Sequence, residues 1–378
     1  MKKIVIIPDS FKGNMSSMRV CEIISEQVKA HFPLCATVSI PVADGGEGTV
    51  DCFLASVGGE KVYVEANNPF FNKINSFYAI LPDKKTAVIE VAAIIGLPLV
   101  ENRKNPLTAS TFGVGELVKH ALSKGCSKII LGLGGSSTND AGAGMAAALG
   151  AKFYNADGKE FIPTGSTLKN ICKIDVSQLK KLTAGVAITA MCDVENPLFG
   201  KNGAAYIFGP QKGADAKTVE ELDQNLRAMS DIMSKELGID ISTLNGGGSA
   251  GGLGAGIAAY FNGELYSGID TVLDNVNFDE LIKDTDLIIS GEGRIDSQSM
   301  QGKVISGVSR RAAKQNKPLI AIVGDIDSGA EKAYEHGVTS IISINKKAVP
   351  FGVASLTSEL DLAFTADALM RTLKAFGV

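Results

Sequence analysis

The sequence predicts an α/β fold of two domains, with a parallel sheet assembled from both ends of the chain. Near both termini, short apolar runs alternate with helical patterns, and such continuous apolar runs are typical of buried parallel strands. The middle of the chain is less regular, with proline-containing loops, paired strand patterns and one long polar helix. We therefore expect a Rossmann-like domain, residues 1–68 plus 285–378, and an inserted mixed α/β domain, residues 69–284. The active site is expected in the cleft between them.

The elements are assigned in chain order, strands from apolar runs and helices from apolar spacings of three and four. The first part of the chain has a strand, a helix, a strand and a helix at 3–7, 16–31, 36–42 and 47–57. The middle has strands at 76–81, 86–92, 128–131 and 187–192, and helices at 141–149 and 215–237. The last part alternates strands at 287–289, 319–323 and 340–344 with helices at 301–315, 330–336 and 356–376.

Composition narrows the class of protein. With 378 residues, 45% hydrophobic and 21% charged, the chain is an ordinary globular protein long enough for two cores. Its net charge of −4 argues against nucleic acid or an anionic membrane as a partner, and no segment has the length of a membrane span. Six scattered cysteines without a Cys-x-x-Cys pair are typical of reduced thiols, so a cytoplasmic location is expected. The oligomeric state is left open, with a homodimer as one candidate.

Histidine is not expected to carry the chemistry. The chain has three histidines, and none of them lies in a glycine-rich segment. Carboxylates, lysines and arginines are therefore the candidate catalytic groups.

The glycine-rich segment 132–144 is the strongest functional signal. It follows an apolar strand pattern and leads into an alanine-rich helix. Glycines let the backbone approach a bulky ligand, and the first amide groups of the helix are expected to point at an anion. Gly134, Gly135, Ser136 and Ser137 are the candidate phosphate contacts, which indicates phosphoryl transfer.

Polar residues also follow strands of the terminal domain, where open α/β sheets bind ligands. Ser10 and Lys12 follow the first strand and offer a hydroxyl and an ammonium. Asp44 and Glu47 follow the second, and a helix-capping box is the alternative interpretation of this pair. The double glycine at 45–46 exceeds what a cap requires, which favours a functional role for Asp44.

The third strand end of this domain carries Arg294 and Asp296. The guanidinium of Arg294 is suited to a small carboxylate or a phosphate, because its fork binds two oxygens at once. A surface salt bridge from Arg294 to Glu292 or Asp296 is the structural alternative.

Two segments of the inserted domain are further candidates. Gly247, Gly248 and Ser249 lie in a second glycine-rich run, which is either a second anion site or a tight helix-packing surface. Asp193 follows an apolar strand pattern, where a carboxylate can hold a metal ion or accept a proton from a hydroxyl. It can equally stabilise a turn.

Taken together, these segments resemble the type-I glycerate kinase family. The matching stretches are Pro-Asp-Ser-Phe-Lys-Gly (8–13), Pro-Val-Ala-Asp-Gly-Gly-Glu-Gly-Thr (41–49), Ser-Thr-Phe-Gly-Val-Gly-Glu-Leu (110–117), Gly-Leu-Gly-Gly-Ser-Ser-Thr-Asn-Asp-Ala-Gly-Ala-Gly-Met (132–145), Cys-Asp-Val-Glu-Asn-Pro-Leu (192–198), Phe-Gly-Pro-Gln-Lys-Gly-Ala (208–214), Gly-Gly-Gly-Ser-Ala-Gly-Gly-Leu-Gly (246–254) and Gly-Glu-Gly-Arg-Ile-Asp-Ser-Gln-Ser (291–299). They run through essentially the whole chain in order. One departure is the Asn-Pro-Phe-Phe-Asn stretch at 68–72, where an Asp-Pro-Leu-Gly-like turn is expected.

The resemblance implies ATP-dependent phosphorylation of D-glycerate, at the 2-hydroxyl, to give 2-phospho-D-glycerate and ADP with a divalent metal such as Mg²⁺. It also implies the same discontinuous Rossmann-like architecture. Residue chemistry then suggests the roles. The catalytic candidates are Lys12, Asp44 and Asp193, with Asp193 also the candidate metal ligand; the substrate-binding candidates are Ser10, Arg294 and Asp296; the cofactor-binding candidates are Gly134, Gly135, Ser136, Ser137, Gly247, Gly248 and Ser249.

Two other interpretations compete with this one. The Gly-Leu-Gly-Gly-Ser-Ser run is also similar to the phosphate loop of galactokinase-like small-molecule kinases, which have a different fold. A catalytically silent protein that binds a sugar acid on the same scaffold is the second alternative. Such a protein is expected to have lost its polar cleft residues, whereas those of this chain are present.

Overall fold

An α/β architecture with a parallel sheet and a mixed sheet is observed, as the sequence predicts. The computed structural model describes residues 1–296 and 303–377. The end of the last matching stretch, residues 297–299, and the start of the helix predicted at 301–315 lie outside the described residues.

The bounds of the strands and helices are as follows. The strands are β1 (Lys3–Pro8), β2 (Ala36–Ser39), β3 (Glu60–Asn67), β4 (Lys73–Ile80), β5 (Thr86–Glu90), β6 (Lys128–Gly132), β7 (Lys152–Tyr154), β8 (Glu160–Phe161), β9 (Lys173–Asp175), β10 (Ala187–Met191), β11 (Glu264–Tyr266), β12 (Leu287–Ile295), β13 (Leu319–Ile326) and β14 (Ser340–Ser343). The helices are α1 (Ser17–His31), α2 (Thr49–Val57), α3 (Ala92–Ile95), α4 (Phe112–Ser123), α5 (Ala143–Ala148), α6 (Ser177–Leu182), α7 (Ala204–Phe208), α8 (Ala216–Leu237), α9 (Ser249–Phe261), α10 (Gly268–Asn275), α11 (Phe278–Leu281), α12 (Val304–Lys314), α13 (Lys332–Glu335), α14 (Phe351–Ala354) and α15 (Ser358–Ala375).

Two compact units make up the chain. The terminal unit comprises Met1–Ala43, Asp51–Val57 and Ser267–Val378, and the central unit comprises Asp44–Val50 and Gly58–Tyr266. The domain limits expected from the sequence, at residues 68 and 285, stay a prediction.

The terminal unit is built on a five-stranded parallel sheet. Its spatial order is β14-β13-β12-β1-β2, so that in the unit's own chain order the strands read 2-1-3-4-5 from one edge. The central strands are fully buried, as Ile4 to Ile7 show, which explains their continuous apolar pattern. In such doubly wound sheets ligands bind at the strand ends where the order reverses, here between β1 and β12.

The central unit contains a six-stranded mixed sheet in the order β11-β10-β6-β5-β4-β3. β5, β6, β10 and β11 are parallel, whereas β3 and β4 form an antiparallel hairpin at one edge. A small antiparallel sheet, β8-β7-β9, lies in the same unit. The parallel strands place the loops after β6 and β10 next to each other.

Local signals in the sequence explain where several helices begin. Ser16 caps α1, its side chain accepting from the backbone of Arg19 at 3.2 Å. Asp215 caps α8 in the same way, accepting from Thr218 at 2.8 Å. The sequence did not predict β3 and β11, whose residues are mostly half-exposed or exposed.

β12 is longer than its apolar core predicts. The sequence predicts the strand only over 287–289, but parallel pairing with β13 continues as far as Ile295 opposite Ile326. Arg294 therefore lies on the end of a strand rather than in a loop.

The turn at 68–72 joins β3 to β4. The Asn68 side chain accepts from the backbone N–H of Phe70 at 3.0 Å and so closes the turn. Phe71, which stands where the expected turn has glycine, adopts a φ of 61°. Its ring packs against Phe112 with centroids 5.6 Å apart, a contact that opposes the cost of the left-handed conformation.

Membrane and disulfide features can be assessed for the described residues. No helix in residues 1–296 and 303–377 is long and apolar enough to cross a membrane. The six cysteines all lie within these residues and are free thiols.

Candidate active site

The loops after β6 and β10 form one edge of the central unit's sheet. The two strands are parallel neighbours, and Gly132 lies opposite Met191 in the register. The backbone N–H of Leu133 donates to the carbonyl of Met191 at 3.3 Å, so the loops begin side by side. Carboxyl ends of parallel strands are the usual place for a ligand in such sheets.

The segment 44–46 packs directly on the end of β6. The Gly134 N–H donates to the Gly45 carbonyl at 2.9 Å. A Cβ at Gly134 would lie 2.6 Å from the Cα of Gly46, closer than side chains can approach a backbone. Gly134 is therefore required by backbone contact, and its hydrogen bond to Gly45 brings the exposed Asp44 to the edge that carries the glycine-rich loop.

The capping-box interpretation of Asp44 and Glu47 is wrong. α2 begins at Thr49, so Asp44 stands five residues before the helix and Glu47 precedes it as well. Asp44 instead accepts weakly from the Gly46 N–H at 3.4 Å. Of the two glycines, Gly45 is the one explained by this contact, since it has a left-handed φ of 82° and its carbonyl accepts from Gly134 after β6.

Loop 134–137 is held by the segment before the 3₁₀ helix Leu97–Arg103. Leu97 donates its backbone N–H to the Gly135 carbonyl at 2.9 Å, and the Ser137 hydroxyl and backbone N–H both donate to the Ile95 carbonyl at 2.8 Å. Among the described residues, no backbone carbonyl accepts from the N–H groups of Gly135 and Ser136. These two N–H groups are the donors that an anion could use.

The expectation that the amides of the alanine-rich helix face a ligand is wrong. The buried carboxylate of Asp140 accepts from the backbone N–H groups of Gly142 at 3.2 Å and Gly144 at 3.3 Å. Met145 donates to the Thr111 hydroxyl at 2.9 Å, and Ala143 donates to the Asp140 carbonyl at 2.9 Å. The N-terminus of α5 is thus closed by the protein itself.

The second glycine-rich run is a packing surface. The backbone N–H groups of Gly247, Gly248 and Ser249 donate to the carbonyls of Leu244, Asn196 and Gly246, respectively. A Cβ at Gly251 would lie 2.0 Å from the Thr138 carbonyl oxygen. The left-handed residues 250–252 at the start of α9 allow this approach to the loop after β6. A role of Gly247, Gly248 and Ser249 in nucleotide binding stays a prediction.

Asp193 lies two residues beyond β10 and is exposed at the same sheet edge. The preceding residue, Cys192, donates its N–H to the Tyr266 carbonyl at 2.8 Å and is fixed on the sheet. Burial raises the pKa of the Cys192 thiol, so it stays a neutral structural group.

In the terminal unit, the predicted residues gather at the end of β1 and β12. Pro8 lies opposite Gly291, and a Cβ at Gly293 would lie 3.3 Å from the backbone nitrogen of Lys12. Ser10 and Lys12 are thereby placed beside the end of β12, which carries Arg294 and then Asp296. This is the point where the strand order reverses.

The guanidinium of Arg294 forms an ion pair with Asp327 rather than with either partner expected from the sequence. The Arg294 side chain is 60% exposed and that of Asp327 is 40% exposed. A pair with this exposure contributes little to stability, so a carboxylate ligand can replace Asp327 at small cost.

Comparisons with known proteins now decide the family. The sequence model of the glycerate kinase family matches residues 4–374. A glycerate kinase of Bacillus cereus is 44% identical over 365 residues, covering 96% of each chain. A glycerate 2-kinase of Escherichia coli is 44% identical over 343 residues, covering 90% of each chain.

This chain belongs to the glycerate kinase family. A crystal structure from Salmonella typhimurium, described provisionally as glycerate kinase 2, is 39% identical and superposes with a TM-score of 0.88. The superposition includes 100% of the present chain and 99% of the Salmonella chain. The protein is therefore an enzyme of the kinase class, which argues against the silent-binder alternative. The structural match argues against the galactokinase-like alternative, which has a different fold.

Sequence reasoning missed two buried charged residues of this glycerate kinase family member. Asp140 is fully buried and Lys212 is 2% exposed. Both stand inside matching stretches, Asp140 in 132–145 and Lys212 in 208–214. A lysine between Pro-Gln and Gly in a short helical turn was the available signal, but nothing local indicates that it is buried.

Proposed function

We propose that the protein is an ATP-dependent kinase that transfers a phosphoryl group to the 2-hydroxyl of D-glycerate. The products are 2-phospho-D-glycerate and ADP. The observation that carries the proposal is the relative named glycerate 2-kinase, which is 44% identical over 90% of both chains. For the present protein, a cytoplasmic location and assembly as a homodimer stay expectations.

The phosphates of ATP are assigned to the loop after β6. The N–H groups of Gly135 and Ser136 are available, Gly135 has the left-handed φ of 73°, and Gly134 allows close backbone approach. The Ser137 hydroxyl already donates to Ile95, so its contribution to phosphate binding is to hold the loop. Backbone donors fixed in advance are the usual way to bind phosphate oxygens.

Mg²⁺ fits the carboxylates at this edge. The described residues contain no group of three or more histidine, cysteine, aspartate or glutamate side chains suited to a metal ion. Mg²⁺ in kinases needs only one or two carboxylates, because substrate phosphates and water supply the other ligands. The exposed Asp193, with Asp44 as a second carboxylate, would hold the ion, which neutralises negative charge on the phosphates.

The residues at the end of β1 and β12 are assigned to glycerate and to charge neutralisation. Arg294 would pair with the glycerate carboxylate through its fork, exchanging Asp327 for the ligand. Ser10 and Asp296 would hydrogen-bond the glycerate hydroxyls. Lys12 would neutralise charge on the transferring phosphoryl group.

A carboxylate completes the proposed set. Asp44 or Asp193 would orient the 2-hydroxyl of glycerate and accept its proton. Phosphoryl transfer depends mainly on positioning and charge neutralisation, so Lys12 is expected to contribute more than either carboxylate.

Coupled measurement of ADP release tests the proposal. With ATP and Mg²⁺ present, release should depend on D-glycerate and should not be supported by L-glycerate. ADP release that is independent of glycerate, or none at all with D-glycerate, would refute the assignment.

A further inference from the structure

Lys212 lies beneath the proposed phosphate loop. It ends the 3₁₀ helix Pro210–Lys212 and is 2% exposed. Its Nζ donates to the Ser136 Oγ at 3.2 Å and to the Thr138 carbonyl oxygen at 2.7 Å. One side chain therefore fixes two positions of the loop that lie more than 70 residues away in the sequence.

The Lys212 amine has capacity for a further proton. A charged ammonium donates three hydrogen bonds, and the structure describes two acceptors for this one, so the neutral amine satisfies the observed geometry. Burying an ammonium without full pairing is costly. The neutral form therefore suits the site as long as no anion is bound.

The carboxylate of Asp140 acts on Lys212 through its negative charge. The hydrogen bonds of Lys212 go to Ser136 and Thr138 and not to Asp140. Its carboxylate accepts from Ser110 at 3.4 Å, from the Thr111 backbone and hydroxyl at 2.8 and 2.9 Å, and from two backbone N–H groups of the following turn. Burial lowers the pKa of Lys212 to about 7, and the negative charge of Asp140 acts in the opposite direction. The other ionisable groups nearby are the buried Tyr260, which interacts with Asp140, and the exposed Lys104, which lies beside Gly213.

The segment that Lys212 contacts, residues 136–139, contains buried polar side-chain atoms without a hydrogen-bond partner among the described residues. Thr138 Oγ1 and both amide atoms of Asn139 are buried without a hydrogen-bond partner among the described residues. Ser136 Oγ accepts from Lys212, which leaves its own hydrogen to donate elsewhere. Together with the N–H groups of Gly135 and Ser136, these atoms give the segment 135–139 hydrogen-bonding capacity that the described residues do not use.

We infer that Lys212 is a positioning residue that aims the Ser136 hydroxyl at a nucleotide phosphate, and that its buried amine gains a proton from solvent when the phosphate binds. This inference rests on the proposed function, because it takes the loop as the nucleotide site. The proton adds to the lone pair of Nζ, and the charge so created is compensated by the bound phosphate.

Calorimetric titration of the full chain with MgADP at about pH 8 tests the inference. The titration is repeated in buffers of different ionisation enthalpy, which converts proton uptake into a measured heat. The wild type should take up about one proton per MgADP bound, since the amine is mostly neutral at this pH. The variant Lys212→Met should take up none, and the exposed Lys217→Met should behave as wild type.

Kinetics separate positioning from a merely structural role. Lys212→Met should raise KM for ATP about tenfold or more and leave KM for D-glycerate unchanged, since the hydrogen bond that it supports is made to the nucleotide. The variant Ser136→Ala should raise KM for ATP similarly, and the double variant should add little to either.

The outcomes distinguish the inference from the proposed function. If the wild type does not bind MgADP, both fail. If it binds without proton uptake, or if Lys212→Met retains the uptake, the inference alone fails. Absence of proton uptake in the wild type would overturn the inference even if Lys212→Met does not fold.

Discussion

The contact between Gly134 and Gly46 allows a prediction whose size follows from the structure. A Cβ at Gly134 would lie 2.6 Å from the Gly46 Cα and 2.8 Å from its nitrogen. Ordinary contacts of this kind begin near 3.4 Å, so the variant Gly134→Ala must separate the two segments by about 0.8 Å, the difference between 3.4 and 2.6 Å. The Gly134 N–H bond to the Gly45 carbonyl, now 2.9 Å, would be broken or bent.

Two effects of different size are expected from Gly134→Ala. Overpacking should lower the free energy of unfolding by about 1–3 kcal/mol, which leaves the protein folded. Displacement of the phosphate loop by nearly 1 Å should lower kcat/KM about a hundredfold, because a misplacement of that size removes productive alignment. Steady-state kinetics and urea unfolding measure the two effects on the same sample.

Matched controls isolate the contact. A Cβ at Gly46 would lie 3.2 Å from a carboxylate oxygen of Asp44, whose side chain can move, and no closer than 3.8 Å to the backbone of Gly134. Gly46→Ala should therefore lower the free energy of unfolding much less than Gly134→Ala. A Cβ at Gly352 has nothing within 4 Å, and Gly352→Ala should leave both stability and kcat/KM unchanged. Wild-type kcat/KM in Gly134→Ala would refute the reasoning that this backbone contact positions the loop.

Three further predictions concern charged side chains. Lys12→Ala should lower kcat about a hundredfold or more, roughly 3 kcal/mol of transition-state stabilisation, with an unchanged melting temperature; near-normal turnover would remove Lys12 from the mechanism. Arg294→Ala should raise KM for D-glycerate at least tenfold, whereas Arg310→Ala, which breaks an exposed pair with Asp270, should not; equal effects would argue against a glycerate contact. The pKa of Lys212 is about 7 in the folded protein and near 10.5 when unfolded, so the unfolded chain binds more protons between these values and stability rises with pH there. Relative to Lys212→Met, the free energy of unfolding of the wild type should therefore rise by about 1.5 kcal/mol between pH 7 and 8.5, as measured by urea unfolding. A fall over this pH range would contradict the burial of this amine.

Local patterns were sufficient to predict much of the fold. The strands of the parallel sheets appear as apolar runs because both of their faces are buried, and α1 and α8 begin where Ser16 and Asp215 supply capping oxygens. The polar edge strands β3 and β11 lack this pattern, since an edge strand is held by its neighbour rather than by burial of both faces. The extension of β12 likewise depends on pairing with β13, which no local signal records.

The candidate site was predictable as a set of segments, but not in its contacts. The glycines and serines after β6 indicate an anion site, yet only the structure shows that Asp140 occupies the amides of α5. Asp140 stands three residues after Ser137 and just before the predicted helix, and a carboxylate before a helix is a known cap, so this signal was available. The burial of Lys212 could not be predicted from the local sequence, because its partners Ser136 and Thr138 come from a distant part of the chain.

The identity of the phosphorylated product tests the account most directly. The purified protein is incubated with ATP, Mg²⁺ and D-glycerate and followed by ³¹P NMR, with authentic 2- and 3-phosphoglycerate added afterwards to assign the new resonance. The account predicts growth of ADP together with a phosphomonoester resonance that coincides with 2-phosphoglycerate. A resonance of 3-phosphoglycerate would contradict the proposed orientation of glycerate, and no new phosphomonoester would contradict the proposed kinase reaction.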